Sequence, residues 1–367
     1  MAAAVGIGRF VYTPILPLMV EALGMTKSAA GLLASANFAG YLMGALVAAM
    51  PSLPGSRRRW LLVALTISAL TTGAMACTSS SAVFLGLRFV GGVASAFALV
   101  FSSALVLDRL SAARRPRLAA LHFAGVGTGI AIDALLAFAL ASRGWRVVWL
   151  AAGVASMIAV GVVAACIPDQ AEALATKPSR TGAAPPPLAS LIVAYGLFGF
   201  GYIITATFLV AIVRGSSQVK AFEPFVWLLV GLAAAPSVAV WTFIESRLGI
   251  ARAFALACAG EAIGVAASVL WLRPGGILLA AALLGGTFMG ITALGLIWAR
   301  RVAPGDPRST LAFMTAAFGL GQIVGPTFAG MIYDATGTFL LPSLAAAAAL
   351  LVAATLAILR RATERVS

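Results

Sequence analysis

Five side chains that can carry a charge lie inside long apolar stretches of the sequence: Arg9, Arg88, His122, Asp133 and Glu261. An arginine can bind an anion through two parallel hydrogen bonds, whereas an imidazole or a carboxyl group can take up and release a proton. At the centre of a lipid bilayer such a charge costs at least about 2.5–3.5 kcal/mol, so it is a functional hypothesis by default. These residue types suggest anion binding and proton transfer in an apolar medium.

The apolar stretches that hold these residues are long enough to cross a bilayer, for which a helix needs about 20 residues. Hydrophobic residues make up 62% of the 367-residue chain and charged residues only 10%. Helices in lipid accommodate this composition because their backbone polar groups are satisfied internally. We predict an all-α integral membrane protein with twelve spans, at 1–23, 28–50, 60–78, 82–107, 118–141, 145–167, 189–213, 222–244, 252–272, 276–299, 309–333 and 338–359.

Basic residues cluster at one end of the predicted bundle, here named the arginine-rich end. It carries Arg57, Arg58, Arg59, Arg109, Arg114, Arg115, Arg117, Lys177, Arg180, Arg247, Arg252, Arg300, Arg301, Arg308, Arg360, Arg361 and Arg365. The opposite, arginine-poor end carries Lys27, Arg143, Arg146, Arg214, Lys220 and Arg273. Because cytoplasmic loops are enriched in Lys and Arg, we predict that the arginine-rich end and both termini lie in the cytoplasm. This topology accounts for most of the net charge of +14, so we expect no nucleic-acid partner.

The longest gap between spans divides the chain into two halves. It contains charged residues and the run Pro185-Pro186-Pro187, a composition typical of a solvated linker. We therefore predict an N-terminal six-helix bundle at 1–167, a cytoplasmic linker at 168–188 and a C-terminal six-helix bundle at 189–367. The pairs Gly91-Gly92 and Gly285-Gly286 occupy similar places in the two halves, which supports a pseudo-symmetric arrangement.

Arg88 and Asp133 are predicted to lie at similar depths. At 1.5 Å per residue, Arg88 is roughly 9 Å and Asp133 roughly 12 Å below the arginine-poor end. An ion pair would relieve both desolvation costs. Two interpretations stay open: a proton-linked pair in which protonation of Asp133 releases Arg88, and a permanent structural salt bridge. His122 is a candidate proton relay near the arginine-rich end, and Glu261 is expected to be a neutral packing residue.

Arg9 has no carboxylate at its own depth in the neighbouring sequence. Facing a central cavity, it would attract an anionic substrate; the alternatives are a pair with Asp133 or hydrogen bonds to backbone carbonyls near Pro14. Polar and aromatic residues at helical spacing complete the candidate site, although such stripes are also typical of packing. The predicted substrate-binding residues are Arg9, Tyr12, Asn37, Tyr41, Tyr195, Tyr202, Thr205 and Gln322, and the predicted proton-coupling residues are Arg88, Asp133 and His122.

Several motifs resemble those of the major facilitator superfamily. The segment from Arg88 to Ala96 is similar to its motif B, in which a membrane-embedded Arg precedes a Gly by four residues. The loop Pro54-Gly55-Ser56-Arg57-Arg58-Arg59 stands where motif A belongs but lacks the acidic residue, which Glu245 supplies in the second-half counterpart. The segment Gly6-Ile7-Gly8-Arg9-Phe10-Val11-Tyr12-Thr13-Pro14-Ile15-Leu16-Pro17 resembles the signature of the YbfB/YjiJ-type bacterial branch, as do the segments 37–44 and 319–326.

The resemblance implies the twelve-helix major facilitator fold and secondary active transport by alternating access between the two halves. It further implies proton coupling, a small-molecule substrate, a monomer in the lipid bilayer and a bacterial inner-membrane location. It names no substrate; Arg9 and Arg88 favour an organic anion.

Two other functions compete with this interpretation. One is efflux of neutral or cationic compounds, for which Gly125-Val126-Gly127-Thr128-Gly129 supplies the glycines of an antiporter motif but no Pro. The other is a membrane sensor or scaffold that does not transport. An enzyme is not expected, because the chain has a single His and no nucleophile–base motif. Scattered Cys and Met residues predict no metal site, and no cofactor is expected.

Overall fold

The computed structural model describes residues 1–50, 53–115, 118–167, 187–303 and 307–366. Twelve helices in this part of the chain are long and apolar enough to span a membrane, as predicted. In chain order they are α1 (Ala2–Leu23), α2 (Lys27–Ala48), α3 (Arg57–Cys77), α4 (Ser81–Ala112), α5 (Ala119–Arg143), α6 (Trp145–Cys166), α7 (Pro187–Arg214), α8 (Lys220–Leu248), α9 (Ile250–Leu270), α10 (Pro274–Val302), α11 (Pro307–Thr336) and α12 (Leu340–Val366).

Local sequence signals set many of the helix ends. The side-chain oxygens of Thr26 and Ser56 accept hydrogen bonds from the backbone amides three residues on, which caps the first turns of α2 and α3. Gly24 ends α1 in the left-handed region at φ 62°, and Gly144 and Gly249 have positive φ between later helices. The predicted spans therefore fall on the observed helices. Nearly all of the predicted linker at 168–188 lies outside the described residues, and its boundaries stay a prediction.

The two six-helix halves, α1–α6 and α7–α12, meet along three helix pairs: α1 with α7, α2 with α11 and α5 with α8. Small residues allow the backbones to approach closely at these pairs. A Cβ atom on Gly127 of α5 would reach the backbone of Gly231 and Ala235 in α8. Similarly, a Cβ on Gly31 of α2 would meet the carbonyl group of Pro326 in α11. The interface between the halves therefore depends on glycine.

An ion pair at the arginine-rich end joins two helices within each half. In the first half, Arg57 at the start of α3 pairs with Asp108 near the end of α4 at 2.7 Å. In the second half, Glu245 near the end of α8 pairs with Arg301 at the end of α10 at 2.6 Å. Arg57 of the first pair and Glu245 of the second pair belong to the two motif A-like segments. Each pair joins two helices of the same half.

Gly127→Ala is expected to destabilise the protein by about 1–3 kcal/mol, because the added methyl group overpacks the α5–α8 contact. Thermal melting of the purified protein in detergent micelles measures the change. Gly161→Ala is the matched control: a Cβ there meets nothing within 4 Å, so stability should stay the same or rise slightly. Equal melting temperatures for the two variants would contradict the close-packing interpretation.

Candidate functional site

Arg9 lies in the interior of the bundle among aromatic rings. It follows the π-helical turns Ala2–Ile7 that open α1, a backbone irregularity that is frequent at functional sites. The guanidinium carbon lies 4.3 Å from the ring centre of Tyr41, 4.6 Å from that of Phe38 and 5.6 Å from that of Phe10. Only 6% of Arg9 is exposed. The faces of aromatic rings therefore contribute to stabilising the positive charge.

One edge of this guanidinium has no protein partner. The Nε and Nη2 atoms of Arg9 are buried, and neither has a hydrogen-bond partner among the described residues. These two atoms point to the same side of the planar group and form the fork that a carboxylate matches. The sequence suggested two protein partners for Arg9, which are Asp133 and the backbone carbonyls near Pro14. Neither of them binds this edge.

An aromatic wall from the second half lies on the other side of the interface. Its centre is Tyr202 in α7, whose ring is nearly parallel to those of Phe288 (7°) and Phe318 (2°), both with centroids 5.8 Å away. The hydroxyl of Tyr202 accepts a hydrogen bond from Nε2 of Gln322. Tyr195 extends the wall by stacking on Phe318 at 5.0 Å. This Tyr202 wall therefore combines three residues predicted from the sequence with two phenylalanines that were not.

The wall reaches the surroundings of Arg9 through Phe10. The rings of Phe10 and Phe288 meet edge to face with centroids 5.9 Å apart. A narrow cleft with no room for a water molecule runs between the halves here; it is lined by Phe10, Ile130, Tyr202, Ala206, Trp227, Val230, Leu284 and Phe288. The cleft is closed in this arrangement, so a ligand could enter only when the halves separate.

Arg88 forms a second cluster on the first half alone. Its guanidinium lies 3.4 Å from the carbonyl oxygens of Gly8 and Arg9 and 4.8 Å from the ring centre of Tyr12. The Tyr12 hydroxyl donates to the carbonyl of Ala30 at 2.8 Å. Tyr12 therefore belongs with Arg88, and its hydroxyl is engaged with backbone.

Asn37 also belongs to this second cluster. Its Nδ2 donates to the backbone carbonyl of Arg88 at 2.8 Å, while its Oδ1 is buried without a partner among the described residues. Tyr41, one turn further along α2, faces Arg9 instead. Asn37 and Tyr41, which are predicted to share a helix face, therefore contact two different arginines.

The expected Arg88–Asp133 ion pair is not formed between these two described residues. Both carboxyl oxygens of Asp133 are buried, and no described residue forms a hydrogen bond with them. One turn before Asp133, Gly129 packs against Gly6, so Asp133 lies level with Phe10 and near the depth of Arg88. Depth follows from counting residues, but the direction of a side chain around the helix axis does not, and Arg88 faces the carbonyls of α1.

The remaining candidates lie apart from both arginine clusters. His122 is half-buried near the arginine-rich end of α5, and its Nε2 is 3.4 Å from the Ser103 hydroxyl of α4. The Thr205 hydroxyl is buried without a hydrogen-bond partner in the part of the chain that the structure describes, and Glu261 is fully buried in α9. The structure therefore brings together Arg9 and Tyr41 with the Tyr202 wall, and leaves His122, Thr205 and Glu261 outside these contacts.

At the arginine-poor end, polar contacts join the two halves. The carboxylate of Asp334 in α11 accepts hydrogen bonds from the backbone amides of Lys27 and Ser28 at the start of α2, both at 2.9 Å. Glu21 of α1 pairs with Arg214 of α7 at 2.9 Å. A cavity of about 270 Å³ lies beside these contacts. We name the Asp334 contacts and the Glu21–Arg214 pair the polar latch; it closes this end of the bundle.

Sequence reasoning missed Phe38, Phe288, Phe318 and Asp334. For Phe38 a signal existed, because it precedes Tyr41 by three residues and so shares its helix face. The aromatic partners Phe288 and Phe318 come from α10 and α11, and no local pattern distinguishes them from the other buried phenylalanines. Asp334 was identifiable only as an acidic residue at the end of a predicted span.

The comparisons with known proteins agree with this architecture. The sequence family described as uncharacterised MFS-type transporter YbfB matches residues 1–358. The chain belongs to this family. It is therefore a multi-pass transporter of the major facilitator superfamily, as the motifs of span one predicted. A search of curated proteins gave no match.

Solved structures share the major facilitator fold with this transporter at low sequence identity. A mutant of the nucleoside transporter NupG is 13% identical, with a TM-score of 0.74 and 98% of each chain covered. A bacterial homologue of the human lysosomal transporter Spinster, in an inward-facing and unoccupied conformation, is 15% identical, with a TM-score of 0.67 and coverage of 98% of this chain and 93% of that one. Family and neighbours are transporters; at these identities the likeness to the structures shows the fold alone.

Asp334→Ala is expected to open the arginine-poor end, because it removes the acceptor that holds α2 against α11. Thr13→Cys supplies a reporter: Thr13 is buried and donates to the carbonyl of Ala206 across the interface. In a Cys77→Ser background, labelling of this cysteine by a membrane-impermeant maleimide should rise about fivefold, the equivalent of about 1 kcal/mol.

Asp108→Ala is the matched control, since Asp108 pairs with Arg57 inside one half. Its labelling should equal that of the parent protein. An unchanged rate in Asp334→Ala would show that the latch does not hold this end closed.

Proposed function

We propose that this transporter carries a small organic anion across the bacterial inner membrane as a monomer, driven by protons. The observation that carries the proposal is the open Nε–Nη2 edge of Arg9 in the interior between the halves. A buried polar group without a partner is costly, and a charged one more so. A carboxylate would supply two charge-assisted hydrogen bonds to this edge, which makes an anionic substrate the natural complement.

Asp133 is proposed as the proton-coupling residue. Its carboxyl group is fully buried and has no hydrogen-bond partner among the described residues, so an ionised carboxylate there would carry a desolvation cost of several kcal/mol. Arg88 and Arg9 lie near the same depth and are the cations that could compensate it after a rearrangement. Loss of the proton would then favour a different arrangement of α1, α4 and α5. His122, closer to the arginine-rich end, is the candidate relay between Asp133 and the cytoplasm.

Alternating access is proposed to use the contacts between the halves. The positive-inside rule favours a cytoplasmic position for the arginine-rich end and for both termini. With that orientation, the polar latch closes the outer end, and its release accompanies opening outwards. The two arginine-rich-end ion pairs, each inside one half, support movement of the halves as units.

Efflux of neutral or cationic compounds is the second candidate, because the Tyr202 wall offers aromatic faces that also attract cations. The positive charge of Arg9 beside this wall weighs against a cationic substrate. A sensor or scaffold that does not transport is less well supported, because the buried Arg9, Asp133 and Glu261 side chains cost stability without contributing to such a role.

Small carboxylates are expected to stabilise the purified protein through Arg9. At about 100 times its Kd a ligand stabilises the folded state by about 2.7 kcal/mol, which a thermal-shift assay detects. Arg9→Ala should abolish the shift. Arg146→Ala is the control, because Arg146 also lies over an aromatic ring, that of Trp145 at 4.9 Å, but at the arginine-poor end. Neutral or cationic compounds that stabilise both variants alike, with carboxylates inert, would favour efflux.

Asp133→Asn is expected to abolish accumulation driven by a pH gradient while exchange across the membrane continues, because an amide cannot cycle a proton. The measurement is uptake of a stabilising carboxylate into proteoliposomes, with and without a gradient. Glu261→Gln is the matched control: it also replaces a fully buried carboxyl group, and uphill uptake should persist. Normal accumulation by Asp133→Asn would remove Asp133 from the coupling scheme.

A further inference from the structure

The Tyr202 wall is unusual in its order. Phe288, Tyr202 and Phe318 come from three different helices, yet the outer two rings are within 7° and 2° of the plane of Tyr202. Phe198 adds a further ring, 5.0 Å from Tyr202 and inclined by 23°. Packing alone does not require parallel planes, since tilted and edge-to-face pairs are equally good fillers. A set of parallel faces is well suited to receive another flat ring.

The wall is held in place by hydrogen bonds at its edges. Gln322 donates to the Tyr202 hydroxyl, and the Tyr195 hydroxyl donates to the carbonyl of Thr292 at 3.2 Å. Both tyrosines are fully or almost fully buried. Rings fixed in this way lose little further freedom when a ligand stacks on them, which favours binding.

Arg9 and the wall are connected through Phe10. Phe10 follows Arg9 in the chain and touches Phe288, the first ring of the wall, at a centroid distance of 5.9 Å. The cleft beside Phe10 and Phe288 is closed in this arrangement and is lined almost entirely by apolar and aromatic side chains. A ligand that reaches both features when the halves separate therefore has its negative group close to a flat apolar body.

We infer that the substrate is a planar aromatic carboxylate, its carboxylate bound at the Nε–Nη2 edge of Arg9 and its ring stacked on the Tyr202 wall. The inference rests on the proposed transport of an organic anion and adds the chemical class of its body. Aliphatic carboxylates of equal size offer the same charge but cannot stack.

Three radiolabelled probes test this inference on the full chain in detergent micelles by scintillation proximity: benzoate, cyclohexanecarboxylate and benzamide. Benzoate should bind about 3- to 10-fold more tightly than cyclohexanecarboxylate, the range expected for one additional aromatic contact. Benzamide, a neutral molecule of the same shape, should not compete. Arg9→Ala should abolish the binding of both carboxylates.

Phe288→Leu should reduce the preference for benzoate over cyclohexanecarboxylate towards one, and Phe318→Leu provides a second variant if the first does not fold. Phe84→Leu is the matched control: Phe84 is a buried ring that packs edge to face on Trp145, away from the wall. It should keep the full preference.

The outcomes separate this inference from the proposed function. Equal binding of the two carboxylates, or an unchanged preference in Phe288→Leu and Phe318→Leu, overturns the aromatic assignment and leaves anion transport standing. Binding of benzamide as tight as that of benzoate, or benzoate binding that survives Arg9→Ala, overturns both. If neither carboxylate binds, the aromatic assignment is also wrong.

Discussion

A positive charge held in the apolar interior governs the organisation of this transporter. The guanidinium of Arg9 lies where water is scarce, and the faces of Phe10, Phe38 and Tyr41 partly replace its hydration. The Nε–Nη2 edge of the guanidinium group has no partner among the described residues. The first half thereby presents two directed hydrogen-bond donors to the interface, and the second half faces them with an ordered aromatic surface. In the proposed site, neither half is complete without the other.

The two halves can contribute to one site because their helices approach closely. Gly31, Gly127 and Gly231 bring α2 against α11 and α5 against α8, so that side chains from both halves meet around one cleft. At the arginine-rich end, the two ion pairs described above stay inside their own halves. At the other end, the contacts of Asp334 and Glu21 link the two halves. These links are partly exposed to solvent, which suits a contact that must form and break.

The two membrane-embedded arginines illustrate how far sequence reasoning reaches. Both Arg9 and Arg88 were identified from the sequence as buried charges, and their burial is confirmed. In this arrangement Arg88 does not pair with Asp133: it faces carbonyl oxygens of α1 and the ring of Tyr12. No sequence pattern indicated that Tyr12 would group with Arg88 while Tyr41 groups with Arg9. A rotation of a helix by one residue, about 100°, is enough to exchange such partners.

The sequence by itself determined that the chain spans a membrane twelve times, that basic residues gather at one end, and that the motifs belong to the major facilitator superfamily. These properties are local: hydropathy and loop charge depend on windows of about 20 residues, and a motif depends on a few neighbours. Only the tertiary structure decided which faces of the helices meet. The parallel wall of Phe288, Tyr202 and Phe318, the open edge of Arg9 and the position of the Asp133 carboxyl group away from Arg88 all depend on helix rotation, which is set by packing between residues far apart in the chain.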